Sequence, residues 1–175
     1  MRNEIILISF LICLSSGCSR NNRNVPSESE IRATEHALIG VNRIMVKKDH
    51  EKIRAYVRRN NLAMQESPTG LWYLTSGTPA CTKAQKGQMA TLRYTVSLLD
   101  GKLCYSSDSL GFKQFRIGQG GVEAGLEEGI LMLCTGDKAT FIMPPHLAYG
   151  LPGDGDRIPA RSILVYHVEL LKLDP

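Results

Sequence analysis

The chain has 175 residues, a hydrophobic share of 43% and a formal net charge of +4. That length suits one folded domain with an appendage, and the small basic surplus argues against a nucleic-acid binder, which concentrates far more positive charge. Five cysteines and four histidines show no Cys-x-x-Cys or His-x-x-x-His spacing, so no zinc site, metal or cofactor is expected.

Arg2 precedes a run from Ile5 to Leu14 that is apolar apart from Ser9. The run is about half the roughly 20 residues needed to span a bilayer and has the length of a signal-peptide core. Ser15-Ser16-Gly17-Cys18 follows and resembles a bacterial lipoprotein signal, in which residues 1–17 are removed and Cys18 is acylated. The usual Leu three positions before the cysteine is here Ser15, with Leu14 one further back; a plain secretory signal cut nearby is the alternative reading. The lipoprotein resemblance implies a bacterial envelope protein, lipid-anchored, periplasm-facing and held on the outer membrane. Cys81, Cys104 and Cys134 are then left, an odd number for an oxidising compartment. One pair can form, and the sequence does not choose it.

Residues 18–30 are polar and serve as a flexible tether. A helical arm follows over 31–65. Ile31, Leu38, Val41, Ile44 and Met45 recur at helical spacing, and Asp49 is expected to cap a second helix carrying Ile53, Tyr56, Val57 and Leu62. The arm's polar face is basic, with Arg43, Lys47, Lys48, Lys52, Arg54, Arg58 and Arg59. Such a face is solvated, or it belongs to an arm that dimerises, packs on the main domain or leans on anionic lipid.

From residue 66 to 175 the pattern changes to strands and turns. Gly70-Leu71-Trp72-Tyr73-Leu74 reads as a strand and Lys86-Gly87-Gln88 as a turn. Leu92, Tyr94, Val96 and Leu98 then alternate strictly with polar residues. Asp100-Gly101 marks a hairpin, and Phe115 and Ile117 belong to another short strand. One helix interrupts the series, with Val122, Leu126, Ile130 and Leu133 on one stripe and Gly136 as its C-cap. Pro144-Pro145, Ala148-Tyr149-Gly150 and a Gly/Pro/Asp loop lead through Ile158-Pro159 to a last strand, with Leu164, Tyr166, Val168 and Leu170 on one face. The fold class is α+β: an antiparallel sheet of five or six strands wrapped around one short helix, preceded by a helical arm.

No acid, base or nucleophile constellation accompanies these elements. His36, His50, His146 and His167 lack carboxylate or nucleophile companions in local sequence, and Gly118-Gln119-Gly120-Gly121 lacks the Lys-Ser/Thr of a phosphate loop. The arrangement instead builds a small apolar cup with one phenolic hydroxyl at its rim, suited to a turn of another polypeptide.

Over Gly70 to Leu173 the chain resembles the FKBP-type prolyl isomerases. The resemblance rests on Gly70-Leu71-Trp72-Tyr73, on Tyr94-Thr95 before Asp100-Gly101-Lys102, on Gly125-Leu126-Glu127-Glu128-Gly129, on Ala148-Tyr149-Gly150, on Ile158-Pro159 and on Val168-Glu169-Leu170-Leu171. It implies isomerisation of X-Pro bonds by desolvating and twisting the imide. It also implies a pocket floor at Leu126, where the family usually has Trp, and walls of Tyr94, Val122, Phe115, Ile158 and Tyr166. Tyr149 is implied to donate its hydroxyl to one substrate carbonyl and the backbone N–H of Glu123 to bind a second. Cys104-Tyr105 stands where the family has Phe-Asp, at the substrate-binding rim. Lys113 falls where a pocket Phe is common, and Glu123 replaces an aliphatic side chain at the mouth. These departures resemble the gliding-motility-associated lipoprotein branch and imply reduced activity and weak macrolide binding.

The implied partners are proline-containing segments of exported polypeptides, the membrane through Cys18, and a second copy through the arm; no nucleic acid is implied. Two other readings stand beside the isomerase: a catalytically weakened peptide-binding or chaperone module of a motility or secretion complex, and a domain that only spaces a functional basic arm.

Overall fold

A computed structural model describes residues 27–77 and 81–175, so the signal segment, Cys18 and most of the tether lie outside the described residues. Helix α1 spans Glu28–Arg59. It runs through both compact units into which the chain divides, one ending at Ile39 and the other covering Gly40–Pro175. Among the described residues no helix is long and apolar enough to cross a membrane.

Where two helices are expected in the arm, there is one. Asp49 does not cap anything: it is only 6% exposed and accepts a hydrogen bond from Arg161 Nη2 at 2.7 Å. No glycine or proline stands between Val41 and Arg59 to break the ladder. The helix ends instead where Asn61 takes a left-handed conformation (φ 50°) and Leu62 N–H closes onto the Val57 carbonyl at 3.0 Å.

Among the described residues seven strands follow: β1 (Gln65–Glu66), β2 (Trp72–Ser76), β3 (Met89–Leu98), β4 (Leu103–Ser106), β5 (Lys113–Arg116), β6 (Lys138–Met143) and β7 (Leu164–Asp174). They form one antiparallel sheet in the order β1-β2-β6-β7-β3-β4, and β5 pairs with the first half of β3. The two-residue β1 is the strand not foreseen. Two short helices are inserted, α2 (Ser107–Leu110) and α3 (Ala124–Ile130). The expected C-cap at Gly136 is displaced: α3 ends at Ile130, and Gly136 sits in a later turn, where its N–H donates to the Leu170 carbonyl at 2.7 Å.

The period-two pattern sends Ala90, Leu92, Tyr94 and Val96 of β3 and Leu164, Tyr166, Val168 and Leu170 of β7 to the inner face, with Phe141 and Met143 of β6. There they enclose Leu126 and Ile130 of α3 in the main core. The outer face is covered by α1, where Ile53 and Val57 pack with Trp72, Ile142, Ile163 and Val165. Tyr56 and Leu62 flank that second cluster, whereas the earlier apolar positions Ile31, Leu38, Val41 and Ile44 are exposed. The basic side chains of the arm are all exposed.

The Asp49–Arg161 pair pins α1 to the segment that leads into β7. Arg161 itself carries a positive φ of 55°, uncommon for a non-glycine residue. Removing one member of a largely buried pair strands the other. Asp49→Ala is expected to cost about 2 kcal/mol, because the arginine retains some exposure, and to lower the thermal midpoint by roughly 4–8 °C.

Candidate functional site

The inner face and α3 build the site together. Gly125 and Gly129, one helical turn apart, let α3 lie close to β6. A Cβ on Gly125 would sit 3.0 Å from Met143, and one on Gly129 would sit 2.5 Å from Phe141. Leu126 between them is fully buried. Around it in the same cluster stand Tyr94 from β3, Phe115 from β5, Ile158 from the loop before β7 and Tyr166 from β7, with Val122 and Tyr149 half-buried against it. The residues expected to form floor, walls and rim thus converge from three strands, a helix and loops that are far apart in sequence.

The glutamate pair after Leu126 supports this frame. Glu127 accepts hydrogen bonds from Gly118 N–H at 2.5 Å and Gly120 N–H at 3.1 Å, so its own carboxylate holds the glycine loop. Glu128 accepts from the Thr69 hydroxyl at 2.6 Å. Among the histidines, His146 bonds the Thr69 carbonyl and His167 the Thr140 hydroxyl, both at 2.9 Å and away from the cup.

Glu123 is placed differently from expectation. Its side chain turns inward and the residue is only 7% exposed. Tyr166 donates its hydroxyl to Glu123 Oε1 at 2.5 Å, and Lys113 Nζ approaches Oε2 at 3.5 Å. The nearby Tyr149 phenol and the residue's own backbone N–H add to the field that favours the ionised carboxylate. Burial alone would raise the Glu123 pKa, yet the lysine charge, the two phenols and the backbone donor outweigh it and hold the group below its usual range. The tyrosines move the other way. Burial, reinforced by the neighbouring carboxylate, pushes Tyr149 and Tyr166 well above an ordinary phenol, and burial also raises Tyr94.

Lys113 is the site residue that motif reasoning missed. Its ammonium lies 5.3 Å from the Tyr94 ring centre and 5.8 Å from that of Tyr166, within cation–π range. The signal was present in the sequence: Lys113 and Glu123 are opposite charges at two positions where the family carries apolar side chains, and opposite charges facing one buried space pair.

Cys104 and Tyr105 fasten the rim. Cys104 is 1% exposed, with its thiol 3.6 Å from the Arg157 carbonyl, and Arg157 Nη1 donates back to the Cys104 carbonyl at 3.1 Å. Tyr105 donates a short hydrogen bond to Asp154 and lies under the Arg157 guanidinium, 5.4 Å from the ring centre. The Asp154 bond pushes the Tyr105 pKa up to about 12. Asp154 also caps the N–H groups of Asp156 and Ile158 at 2.9 and 2.8 Å. The dipeptide therefore ties the β3–β4 hairpin to the loop that delivers Ile158, with the Cys104 side chain buried in the main core. A separate groove of about 400 Å³ holds an Arg93–Glu169 ion pair at 2.7 Å, and of the converging groups only Tyr94 lines it.

The cysteine pairing is settled by the fold. Cys81 and Cys134 form a disulfide, and among the described residues Cys104 is the free thiol.

Comparison with known proteins places these features in a family. Residues 81–171 match the family described as FKBP-type peptidyl-prolyl cis-trans isomerase. FK506-binding protein 2 of Yarrowia lipolytica is 44% identical over 96 residues, covering 54% of this chain and 67% of its own. Among solved structures, FkpA from Escherichia coli aligns with a TM-score of 0.61 at 28% identity, covering 86% of this chain and 75% of its own. AtFKBP13 aligns with a TM-score of 0.59 at 35% identity, covering 62% and 97%.

Proposed function

Because the chain belongs to the FKBP-type peptidyl-prolyl cis-trans isomerases, we propose that it isomerises X-Pro bonds in exported polypeptides as they fold in the bacterial envelope, lipid-anchored through Cys18. The observation that carries the chemistry is the convergence of Leu126, Tyr94, Phe115, Ile158 and Tyr166 in one apolar cluster, with Tyr149 half-buried against it. Rotation about a peptide bond meets a barrier of roughly 18–20 kcal/mol because amide resonance is lost. An apolar surround withdraws the water that favours the planar, charge-separated form, and a phenol on the neighbouring carbonyl holds the twist. A rate gain of about 10⁴-fold needs only about 5–6 kcal/mol of barrier lowering.

The compartment is supported by the Cys81–Cys134 disulfide, since such bonds persist in oxidising surroundings, and by the signal pattern ending at Cys18. A homodimer through the arm is supported by the exposed apolar positions Ile31, Leu38, Val41 and Ile44 on α1.

One observation favours a second reading. The Glu123 carboxylate lies buried among the pocket residues, bonded by Tyr166 and facing Lys113, as in a peptide-binding or chaperone module of a motility or secretion complex that has given up catalysis. A protease-coupled assay on a proline tetrapeptide separates the two. The isomerase reading expects acceleration at micromolar protein, reduced about fivefold by Tyr149→Phe, the worth of one hydrogen bond. Suppression of client aggregation with no acceleration, unchanged by Tyr149→Phe, selects the module instead.

A further inference from the structure

We propose that Lys113 selects the substrate: its ammonium stands over two walls of the cup and favours X-Pro segments that carry an acidic residue beside the proline. This inference rests on the isomerase reading for where the proline sits.

Lys113 opens β5 and pairs in register with Leu92 of β3. Its Nζ lies 5.3 Å from the Tyr94 ring centre, 5.8 Å from that of Tyr166 and 3.5 Å from Glu123 Oε2. An ammonium has three N–H donors and no acceptor, and Glu123 is the hydrogen-bond partner it meets among the described residues. At 3.5 Å that contact is long for a hydrogen bond, so donors remain for a ligand. The pair is also lopsided. The Glu123 side chain is 4% exposed and already accepts the Tyr166 hydroxyl at 2.5 Å, whereas the Lys113 side chain keeps 22% exposure. The two charges thus form a dipole whose negative end is buried and whose positive end is the one a substrate reaches. Coulomb energy falls with distance, so a charge arriving at the ammonium feels the lysine more than the deeper glutamate. The nearest carboxylates of the opposite rim are engaged: Asp154 accepts from Tyr105 and from the N–H groups of Asp156 and Ile158, and Asp156 lies 3.7 Å from Arg157. Lys113 is then a specificity-determining residue: a carboxylate on the residue before or after the proline pairs with it, and a cation there is repelled.

The test is affinity for matched tetrapeptides, Ala-Glu-Pro-Phe and Ala-Pro-Glu-Phe against the same sequences with Gln for Glu. Chemical-shift titration measures binding, and cis–trans exchange is followed on the same samples. The native chain is expected to bind at least one acidic peptide about fivefold more tightly than its Gln counterpart, the worth of a favourable, partly exposed ion pair. The margin is expected to vanish at about 1 M salt, where charges are screened within about 3 Å. Lys113→Met is expected to erase it and Lys113→Arg to keep it. Glu123→Gln is expected to widen it, because nothing then opposes the ammonium. Should a single variant fail to fold, Lys113→Leu with Glu123→Leu removes both charges together and is expected to show no margin. The readout is a ratio within one protein, so a general loss of affinity from a purely structural role cancels. Equal affinities in the native chain, no binding of any peptide, or a margin that survives Lys113→Met overturns the proposal, and exchange alongside equal affinities leaves the isomerase reading standing. A margin without exchange in any chain supports selection by Lys113 and contradicts the isomerase reading.

Discussion

Gly129→Ala is expected to destabilise the domain by about 2–3 kcal/mol, although helix propensity alone argues for a gain of about 1 kcal/mol. The two effects oppose each other, and distance decides between them. The added methyl would lie 2.5, 2.7 and 2.8 Å from three carbons of the Phe141 ring. That ring cannot retreat, because Phe141 is fully buried in β6, between Tyr73 of β2 and Tyr166 of β7. Either α3 lifts off the sheet, carrying Leu126 with it, or the ring leaves its rotamer. Gly40→Ala is the control: it lies within α1 with nothing within 4 Å of the added carbon, so propensity acts alone and a gain of about 1 kcal/mol is expected. Thermal unfolding of the two variants should move in opposite directions. A Gly129→Ala protein as stable as the native one would mean that α3 does not approach β6 as described.

Reducing the Cys81–Cys134 disulfide is expected to cost about 4 kcal/mol, the loop entropy released when a link across 53 residues is cut. The bridge ties the segment before β3 to the turn after α3. Nearby backbone bonds stitch the same region: Ala84 N–H to the Leu133 carbonyl at 2.8 Å, and Cys134 N–H to Asp137 Oδ2 at 2.9 Å. Urea unfolding with and without reductant measures the loss, and Cys81→Ala should reproduce it. The buried Cys104 thiol provides the internal comparison, since reductant leaves it unchanged. Identical midpoints in the oxidised and reduced protein would contradict the stabilising role.

The parts of the fold that follow from local pattern were readable in the chain. Alternation in β3 and β7 located Tyr94 and Tyr166 on one face, Asp100-Gly101 placed a hairpin where Gly101 has φ 89°, and Ile53, Tyr56, Val57 and Leu62 marked the packed face of α1. What escaped depends on distant partners. Asp49 looks like a cap until Arg161 is brought to it from over a hundred residues away. Gly129 looks like a weak helix residue until Phe141 is set against it. The Cys104-Tyr105 dipeptide looks like a damaged pocket until the loop carrying Asp154 and Arg157 folds over it. Glu123 is the sharpest case. As a lone charge beside Val122 it reads as a mouth residue, until the fold sets Lys113 and Tyr166 against its inward carboxylate.

Cis–trans exchange of a Leu-Pro tetrapeptide, followed by magnetisation transfer with and without the native chain, tests the chemistry most directly. Uncatalysed exchange takes tens to hundreds of seconds and gives no cross-peaks on the second timescale. With micromolar protein, cross-peaks between the cis and trans resonances are expected within seconds, weakened by Tyr149→Phe. Spectra that stay free of exchange at that concentration, from a chain shown to be folded, would contradict the isomerase reading.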